Sequence, residues 1–290
     1  MTQQRVYVLG GTGNVGTKAV QDLVSHGVSV TLFARDPAKV KSMFASHAHL
    51  VNVVQGDYQD LTPIKETIRG HDRLLLSIFD NDRPAEIKGT IAKYAYDAGV
   101  KQIVNISTLH ISFGYRNGFI PAGQLDAENA MMAIPGRGRL VSLRPGHFMS
   151  NLFMSHISAQ GALYEDSEPE ELLGMISPND IGAVAAVVLQ EDVEKHKDSV
   201  YNMIGDIVTP NEMAATLSRI LGREIPFRKI YPVEKYHMLI KVGVPHTVAV
   251  DIVDNFKLGI KPSINPIIEI LLGRKPQTLE EYLSINKDRI

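Results

Sequence analysis

Residues 5–16 read RVYVLGGTGNVG, a short apolar segment that runs directly into a turn with four glycines. The apolar segment predicts a β-strand that breaks at Gly10, and the amphipathic run VGTKAVQDLV that follows predicts a helix. The order strand, glycine turn, helix is typical of a dinucleotide-binding fingerprint. The start of the chain therefore predicts a site for the phosphates of a dinucleotide.

The glycine spacing fits this interpretation in two registers. Gly10, Gly13 and Gly16 give G-x-x-G-x-x-G, whereas Gly11, Gly13 and Gly16 give G-x-G-x-x-G. In either register one glycine makes the turn, one lets the backbone approach a pyrophosphate, and the last packs the helix on the strand. The first turn of the helix would then offer backbone N–H groups and a partial positive charge to the phosphates.

The end of the second predicted strand indicates which dinucleotide binds. The strand VSVTLFA is followed by Arg35, at the position where an NAD site usually has an acidic residue for the ribose 2′-hydroxyl. An arginine instead offers a planar donor fork to a 2′-phosphate, and Lys39 lies four residues further on. The pair favours NADP, with NADPH preferred over NADH; the alternative is that both are solvated surface charges.

Predicted strands and helices alternate along the first half of the chain. This alternation predicts an α/β fold, a Rossmann-type doubly wound parallel sheet with right-handed crossovers. Beyond residue 150 the alternation loosens. We expect an NADP-binding domain over 1–150 and a smaller C-terminal α/β lobe over 151–290 that holds substrate, with exchange of a strand or helix between them left open.

Ligands of such sheets bind beyond the carboxyl ends of the strands. That rule selects four groups of candidate residues, one at each predicted strand end: Asp57 and Tyr58; Ser77, Ile78 and Phe79; Ser107 and Thr108; and Pro145, Gly146, His147 and Phe148.

Composition excludes several classes of function. The 290 residues carry a net charge of −2, which gives no electrostatic case for nucleic acid or for a membrane surface. The absence of cysteine excludes disulfides, thiolate catalysis and cysteine-based metal sites. The ten histidines show no spacing typical of a metal site, and no signal core or long apolar run is present. We therefore expect no metal and a cytoplasmic protein.

Several segments together carry a resemblance to a known family. The fingerprint, Gly56-Asp57-Tyr58, and the runs LRPGHFMSNL (143–152), NDIGAVAAVVL (179–189) and LLGRKPQTLEEYL (271–283) resemble the NmrA-like group of atypical short-chain dehydrogenases/reductases. That group includes NADPH-dependent quinone and triphenylmethane-dye reductases as well as NADP-sensing regulators with little or no turnover.

The resemblance implies a role for individual positions of the cofactor site. It implies that Thr12, Asn14 and Val15 lie at the pyrophosphate and that Arg35 and Lys39 hold the 2′-phosphate. The adenine, ribose and nicotinamide would lie along a further set: Asp57, Tyr58, Ser77, Ile78, Phe79, Ser107 and Thr108.

The catalytic residues are less well defined. Ordinary short-chain dehydrogenases use a Tyr-x-x-x-Lys motif, and the predicted helix over 120–133 does not contain it. At the position where some relatives have a lysine, four residues before Glu128, this chain has Gln124. Glutamine can hydrogen-bond a ribose or a carbonyl but is not an acid. His110 and Gln124 are the catalytic candidates, and Gln124 is also a candidate contact of the cofactor. His147, like His110, could supply a proton, and Tyr115 is a weaker candidate in a stretch that could act as a lid; structural roles are the alternative for each.

Three functions fit these observations. The first is an NADPH-dependent oxidoreductase that transfers hydride to a small planar acceptor such as a quinone or a dye. The second is a non-catalytic NADP(H)-sensing regulator that acts through a protein partner. The third is a reductase of one specialised metabolite. A homodimer also remains open.

Overall fold

A computed structural model describes residues 4–79, 82–114, 118–155, 161–255 and 261–290. The strands are β1 Arg5–Leu9, β2 Ser29–Ala34, β3 Val51–Gln55, β4 Arg73–Leu76, β5 Gln102–Ile106, β6 Arg139–Pro145, β7 His147–Phe148, β8 Leu163–Glu165, β9 Leu173–Ile176, β10 Val200–Met203, β11 Asp206–Val208 and β12 Phe227–Lys229. The helices are α1 Asn14–Ser25, α2 Pro37–Met43, α3 Thr62–Thr67, α4 Pro84–Asp97, α5 Phe119–Met132, α6 Pro178–Gln190, α7 Val193–His196, α8 Pro210–Leu221, α9 Pro232–Lys241, α10 His246–Asn255, α11 Ile267–Leu272 and α12 Leu279–Ile285.

Seven strands form the main sheet, in the order β10-β6-β5-β4-β1-β2-β3. Strands β1 to β6 pair in parallel, and the strand order reverses between β1 and β4. This is the order of a doubly wound Rossmann sheet, in which ligands bind at the point of reversal. The predicted fold class is confirmed.

The core of this sheet explains why its strands read as continuous apolar runs. Side chains of β1 and β4 form one buried cluster with α3, α4 and the end of α5; Ile64, Ile87 and Met131 represent the three helices. On α6, a Cβ at Gly182 would lie 2.6 Å from the carbonyl oxygen of Val15 in α1, so these two helices pack at close range. All four residues of β4 are buried, and after Arg73 they are the three leucines Leu74 to Leu76, as expected for a strand covered on both faces.

Two of the predicted strands end earlier in the structure than their sequence suggests. β4 ends at Leu76 and β5 at Ile106, where the predicted runs extended to residues 79 and 108. The last pair between these strands joins Leu76 to Asn105. The residues Ser77 to Phe79, together with Ser107 and Thr108, therefore lie in loops at the carboxyl edge, where ligands of such sheets bind.

The chain forms two compact units. The first comprises Met1–Thr108, Gly123–Arg144 and Ile181–Tyr201, and the second comprises Leu109–Ala122, Pro145–Asp180 and Asn202–Ile290. The domain division at residue 150 stays a prediction.

The second unit has its own sheets and core. It contains a three-stranded sheet, β11-β9-β7, and a parallel pair of β12 and β8. Its apolar cluster includes Leu163, Met213, Leu217 and Tyr282. Helix α8 begins with a capping box between Thr209 and Glu212, which satisfies backbone N–H groups that have no partner inside the helix.

Candidate cofactor-binding site

Three of the four glycines of the turn, Gly10, Gly13 and Gly16, have different structural roles. Gly10 has φ +78°, and a Cβ there would lie 1.9 Å from the carbonyl oxygen of Ser77. A Cβ at Gly16 would lie 2.2 Å from the carbonyl oxygen of Gly10, so this position packs α1 against the turn. Gly13 is exposed, and a Cβ there would approach only the Gly10 oxygen, at 3.4 Å. The backbone thus needs glycine at 10 and 16, whereas at 13 the protein itself leaves room.

The amino terminus of α1 is arranged to bind an anion. Gly13 is its N-cap, with φ −86° and ψ 173°, and no side chain caps the helix. The first turn, Asn14 to Gly16, carries no acidic residue. Such a terminus directs backbone N–H groups and the positive end of the helix dipole outward. Because Gly13 adds no side chain in front of them, the residues present fit the pyrophosphate of a dinucleotide.

The end of β2 presents positive charge. Arg35 follows the strand directly, Lys39 lies in the first turns of α2, and both are exposed. Among the described residues, neither side chain makes a hydrogen bond or an ion pair. The neighbouring carboxylate of Asp36 accepts from the backbone N–H of Lys39 at 3.0 Å and caps α2. The one acidic group next to Arg35 is therefore used within the protein, which leaves the two cations to face solvent.

An aromatic surface lies at the carboxyl ends of β2 and β3. The rings of Phe33 and Tyr58 have centroids 6.1 Å apart, and a Cβ at Gly56 would lie 2.5 Å from the Phe33 ring. The exposed Asp57 accepts from the backbone N–H of Gln59 at 2.9 Å, which holds the turn between them. Phe33 belongs to the buried core, so only the half-buried ring of Tyr58 is accessible here, next to the exposed carboxylate of Asp57.

The loops beyond β4 and β5 hold two groups that a ligand could contact, one exposed and one buried. Phe79 is 66% exposed, although Ile78 before it is buried. The hydroxyl oxygen of Ser107 is buried and has no hydrogen-bond partner among the residues that the structure describes. A buried hydroxyl without a partner is costly, and a bound ligand would satisfy it.

Behind the end of β5 lies a buried polar network. The ammonium of Lys88, on α4, donates to Asn105 Oδ1 at 2.8 Å, to the carbonyl oxygen of Ile106 at 2.9 Å and to Gln124 Oε1 at 2.7 Å. Lys88 is 1% exposed. Burial lowers the pKa of Lys88 to about 7, and the nearby carboxylate of Glu128 opposes that shift.

Lys88 is not among the residues predicted from the sequence, although a signal was present. Pro84, Lys88 and Ala92 recur at a spacing of four residues, and all three are buried on the same side of α4. A lysine in the apolar stripe of a predicted helix indicates a buried charge that needs partners. The partners themselves come from two other elements and cannot be read from the stripe.

Glu128 has a structural partner. Both of its carboxylate oxygens accept from Arg144, at 3.2 and 2.5 Å, and Glu128 is 6% exposed. This is the bidentate geometry that an arginine forms with a carboxylate. The pair joins α5 to β6.

The second unit holds the histidine candidates. The rings of His110 and His147 stack with centroids 5.3 Å apart, and His110 also meets Phe113 edge to face. Burial lowers the pKa of His110, and it lowers the pKa of His147 to about 3, with His110 and Lys235 adding to that shift. Both imidazoles are thus favoured in the neutral form at neutral pH, in which each ring has one N–H donor.

The remaining candidates differ in accessibility. Pro145 is buried and Phe148 is half-buried. Tyr115 lies outside the described residues, as do Arg116 and Asn117 of the stretch predicted to act as a lid. A catalytic role for His110 or Gln124 stays a prediction, as do the cofactor contacts of the individual residues.

The described ranges contain neither a cluster of metal ligands nor a membrane-spanning helix. No three histidine or carboxylate side chains gather there as ligands for a metal ion. None of the helices described is both long and apolar enough to span a bilayer.

The parallel sheet, the strand reversal and the glycine turn together define a Rossmann-type dinucleotide-binding protein. The model of a family described as NAD(P)H-binding matches residues 10–192 of this chain. That match covers more than half of the sequence, from the first glycine of the fingerprint to the residues that follow α6. The chain belongs to this NAD(P)H-binding family.

Individual proteins resemble the chain over nearly its whole length. The (4-alkanoyl-5-oxo-2,5-dihydrofuran-3-yl)methyl phosphate reductase of Streptomyces griseus is 28% identical over 288 residues, covering 96% of each chain. An NADPH-dependent quinone oxidoreductase of Escherichia coli, solved with NADPH, has a TM-score of 0.80 at 23% identity and covers 97% of this chain and 99% of that one.

The structure of NmrA, a negative transcriptional regulator, has a TM-score of 0.75 at 15% identity, with 98% of this chain and 95% of that one covered. At these identities the two solved structures show the shared fold. The resemblance to the NmrA-like group, drawn from the sequence motifs, is confirmed.

Proposed function

We propose that this protein is an NADPH-dependent reductase that transfers a hydride to a small planar acceptor of the quinone or dye type. The observation that carries the proposal is the uncapped amino terminus of α1, with Gly13 in front of it, together with Arg35 at the end of β2. The first feature fits a pyrophosphate and the second fits a 2′-phosphate. When bound, the cofactor supplies the hydride.

The cofactor site is proposed residue by residue. Thr12, Asn14 and Val15 would surround the pyrophosphate, and Arg35 and Lys39 would hold the 2′-phosphate. The adenine, the second ribose and the nicotinamide would then lie along the carboxyl edge of the sheet, next to Asp57, Tyr58, Ser77, Ile78, Phe79, Ser107 and Thr108. The unpartnered hydroxyl of Ser107 supports this path because a ligand group would complete its hydrogen bonding.

Helix α5 supports the choice of acceptor. Its sequence, FIPAGQLDAENAMM, contains neither tyrosine nor lysine, so it lacks the acid that unactivated carbonyl reduction requires. A quinone or a cationic dye is a strong electrophile that needs mainly orientation beside the hydride donor. Relatives named as reductases agree with a reductive reaction.

The proposal is tested by anaerobic oxidation of NADPH at 340 nm with 1,4-naphthoquinone, an azo dye and a triphenylmethane dye, and with NADH in parallel. We expect saturable turnover that is faster with NADPH. A Gly13→Ser variant is the matched control, because it should fold without binding nucleotide.

Absence of turnover across this panel, with NADPH binding intact, would overturn the proposal. In that case the NADP(H)-sensing regulator and the reductase of one specialised metabolite remain. Pull-down of a protein partner that depends on NADP(H) would separate the regulator from the metabolite reductase.

A further inference from the structure

We propose that Lys88 is a positioning residue that fixes Gln124 as a hydrogen-bond donor, so that the acceptor bound there is one with a carbonyl oxygen. This inference rests on the proposed reductase function and narrows its substrate class to quinone-type molecules. It starts from three hydrogen bonds of one buried ammonium, to Asn105, Ile106 and Gln124.

The chemistry of an ammonium determines which way the Gln124 amide points. An ammonium has three donors and no acceptor, so the atom of Gln124 at 2.7 Å from it must be the amide oxygen. The Nε2 group is thereby turned away from Lys88. Among the described residues nothing accepts a hydrogen bond from Nε2, although Gln124 is only 5% exposed. The two N–H donors of Gln124 Nε2 are therefore available to a ligand, whereas its acceptor Oε1 is occupied by Lys88.

The position of this donor follows from the shared ammonium. Two acceptors of one ammonium can lie no farther apart than two hydrogen-bond lengths, so the Gln124 amide is close to the carbonyl oxygen of Ile106. Ile106 is the last residue of β5, and Ser107, with its unpartnered hydroxyl, comes next. The Gln124 donor and the Ser107 hydroxyl thus belong to the same carboxyl edge of the sheet.

When Lys88 is protonated, its positive charge also strengthens the donor. A hydrogen bond from an ammonium to an amide oxygen polarises the amide, and its N–H groups become stronger donors. In quinone reduction the hydride adds to the quinone, an electron pair moves onto a carbonyl oxygen, and a proton from water completes the hydroquinone. Negative charge develops on that oxygen, where the Gln124 N–H would stabilise it.

A triphenylmethane dye makes a different demand. Its central carbocation accepts the hydride directly and becomes the neutral leuco form, with no proton taken up and no oxygen that gains charge. A donor from Gln124 would do nothing for this reaction. The ratio of quinone to dye reduction therefore cancels general effects on folding or on cofactor binding, which act on both acceptors alike.

The test compares 1,4-naphthoquinone with a triphenylmethane dye as acceptors for Lys88→Met and Gln124→Glu. Gln124→Glu retains an oxygen for Lys88 but replaces the donor with an acceptor. In both variants we expect kcat/KM for the quinone, relative to that for the dye, to fall at least tenfold at saturating NADPH, where a change in cofactor affinity does not enter the ratio. Lys93→Met is the matched control, because Lys93 lies exposed on the same helix and pairs with Asp97.

An unchanged ratio in folded Gln124→Glu would overturn the inference, whether or not Lys88→Met folds. Calorimetric titration of 1,4-naphthoquinone and the dye into the NADP⁺-loaded protein provides a readout that does not depend on turnover. If wild type reduces neither acceptor, the proposed function fails. Quinone binding that is weaker in Gln124→Glu than in wild type, with dye binding unchanged, would then still support the inference. Quinone binding that is equal in Gln124→Glu and wild type would refute it.

Discussion

Replacing Gly13 with serine should affect stability and nucleotide binding in different ways. Gly13 is the N-cap of α1 and already has the extended φ and ψ of a capping residue. A serine there can accept from a backbone N–H of the first turn, and serine exceeds glycine at an N-cap by about a few tenths of a kcal/mol. The nearest protein atom to its Cβ is the Gly10 oxygen at 3.4 Å, so we expect no clash. The melting temperature should stay within about 1 °C of wild type or rise slightly.

Nucleotide binding should be strongly weakened in the same variant. The serine hydroxyl would occupy the N–H groups that we propose for the pyrophosphate, and its Cβ would fill the space through which the phosphates approach. Each hydrogen bond to a charged group contributes about 1.5–3 kcal/mol. Loss of two such bonds predicts at least about 100-fold weaker NADPH binding, since each tenfold corresponds to about 1.4 kcal/mol.

The assay is NADPH fluorescence titration together with thermal unfolding of the same samples. Gly16→Ala is the opposite control, because its Cβ would lie 2.2 Å from the backbone oxygen of Gly10 and should lower the melting temperature by several degrees. A folded Gly13→Ser protein that binds NADPH within threefold of wild type would refute the assignment of this turn to the pyrophosphate.

Three further predictions concern charged groups. Arg35→Ala should weaken NADPH binding by about 10–100-fold and NADH binding by less than threefold. Equal losses of affinity for the two nucleotides in titrations would contradict a 2′-phosphate site. Glu128→Gln should lower the free energy of unfolding in urea by about 2 kcal/mol because it leaves Arg144 without its carboxylate. The double variant Glu128→Gln/Arg144→Met should recover part of that loss. A double variant as unstable as the single one would show that the ion pair does not contribute this stability. The pKa of His147 is about 3 in the folded protein and near 6.5 when unfolded. Below pH 6.5 the unfolded chain therefore binds a proton that the folded protein does not, and about 1–2 kcal/mol of the stability present at pH 7 is lost by pH 5. The urea midpoint of His147→Gln should fall less than that of wild type over this pH range, and an identical fall in the two proteins would argue against a buried neutral His147.

Much of the sheet could be predicted from the sequence because its signals are local. A strand buried on both faces is an apolar run, and glycine or proline marks where it ends; β6 runs over the predicted residues 139–145, and α4 over Pro84–Asp97 against a predicted 84–98. The ends of β4 and β5 were less predictable, since a strand ends where its neighbours stop pairing. Apolar residues such as Ile78 continue past that point and are buried in the loop.

The sequence by itself determined that a strand, a glycine turn and a helix meet at the start of this chain, and that Arg35 follows the second strand. Both are patterns within a few residues, and their geometry depends on local backbone preferences. Only the tertiary structure decided which glycine the backbone needs, because the contacts of Gly10 come from Ser77. It alone brought Lys88 to Gln124, 36 residues away, and held two histidines against each other with lowered pKa values. Such properties depend on burial and on partners distant in the chain, and no local pattern encodes them.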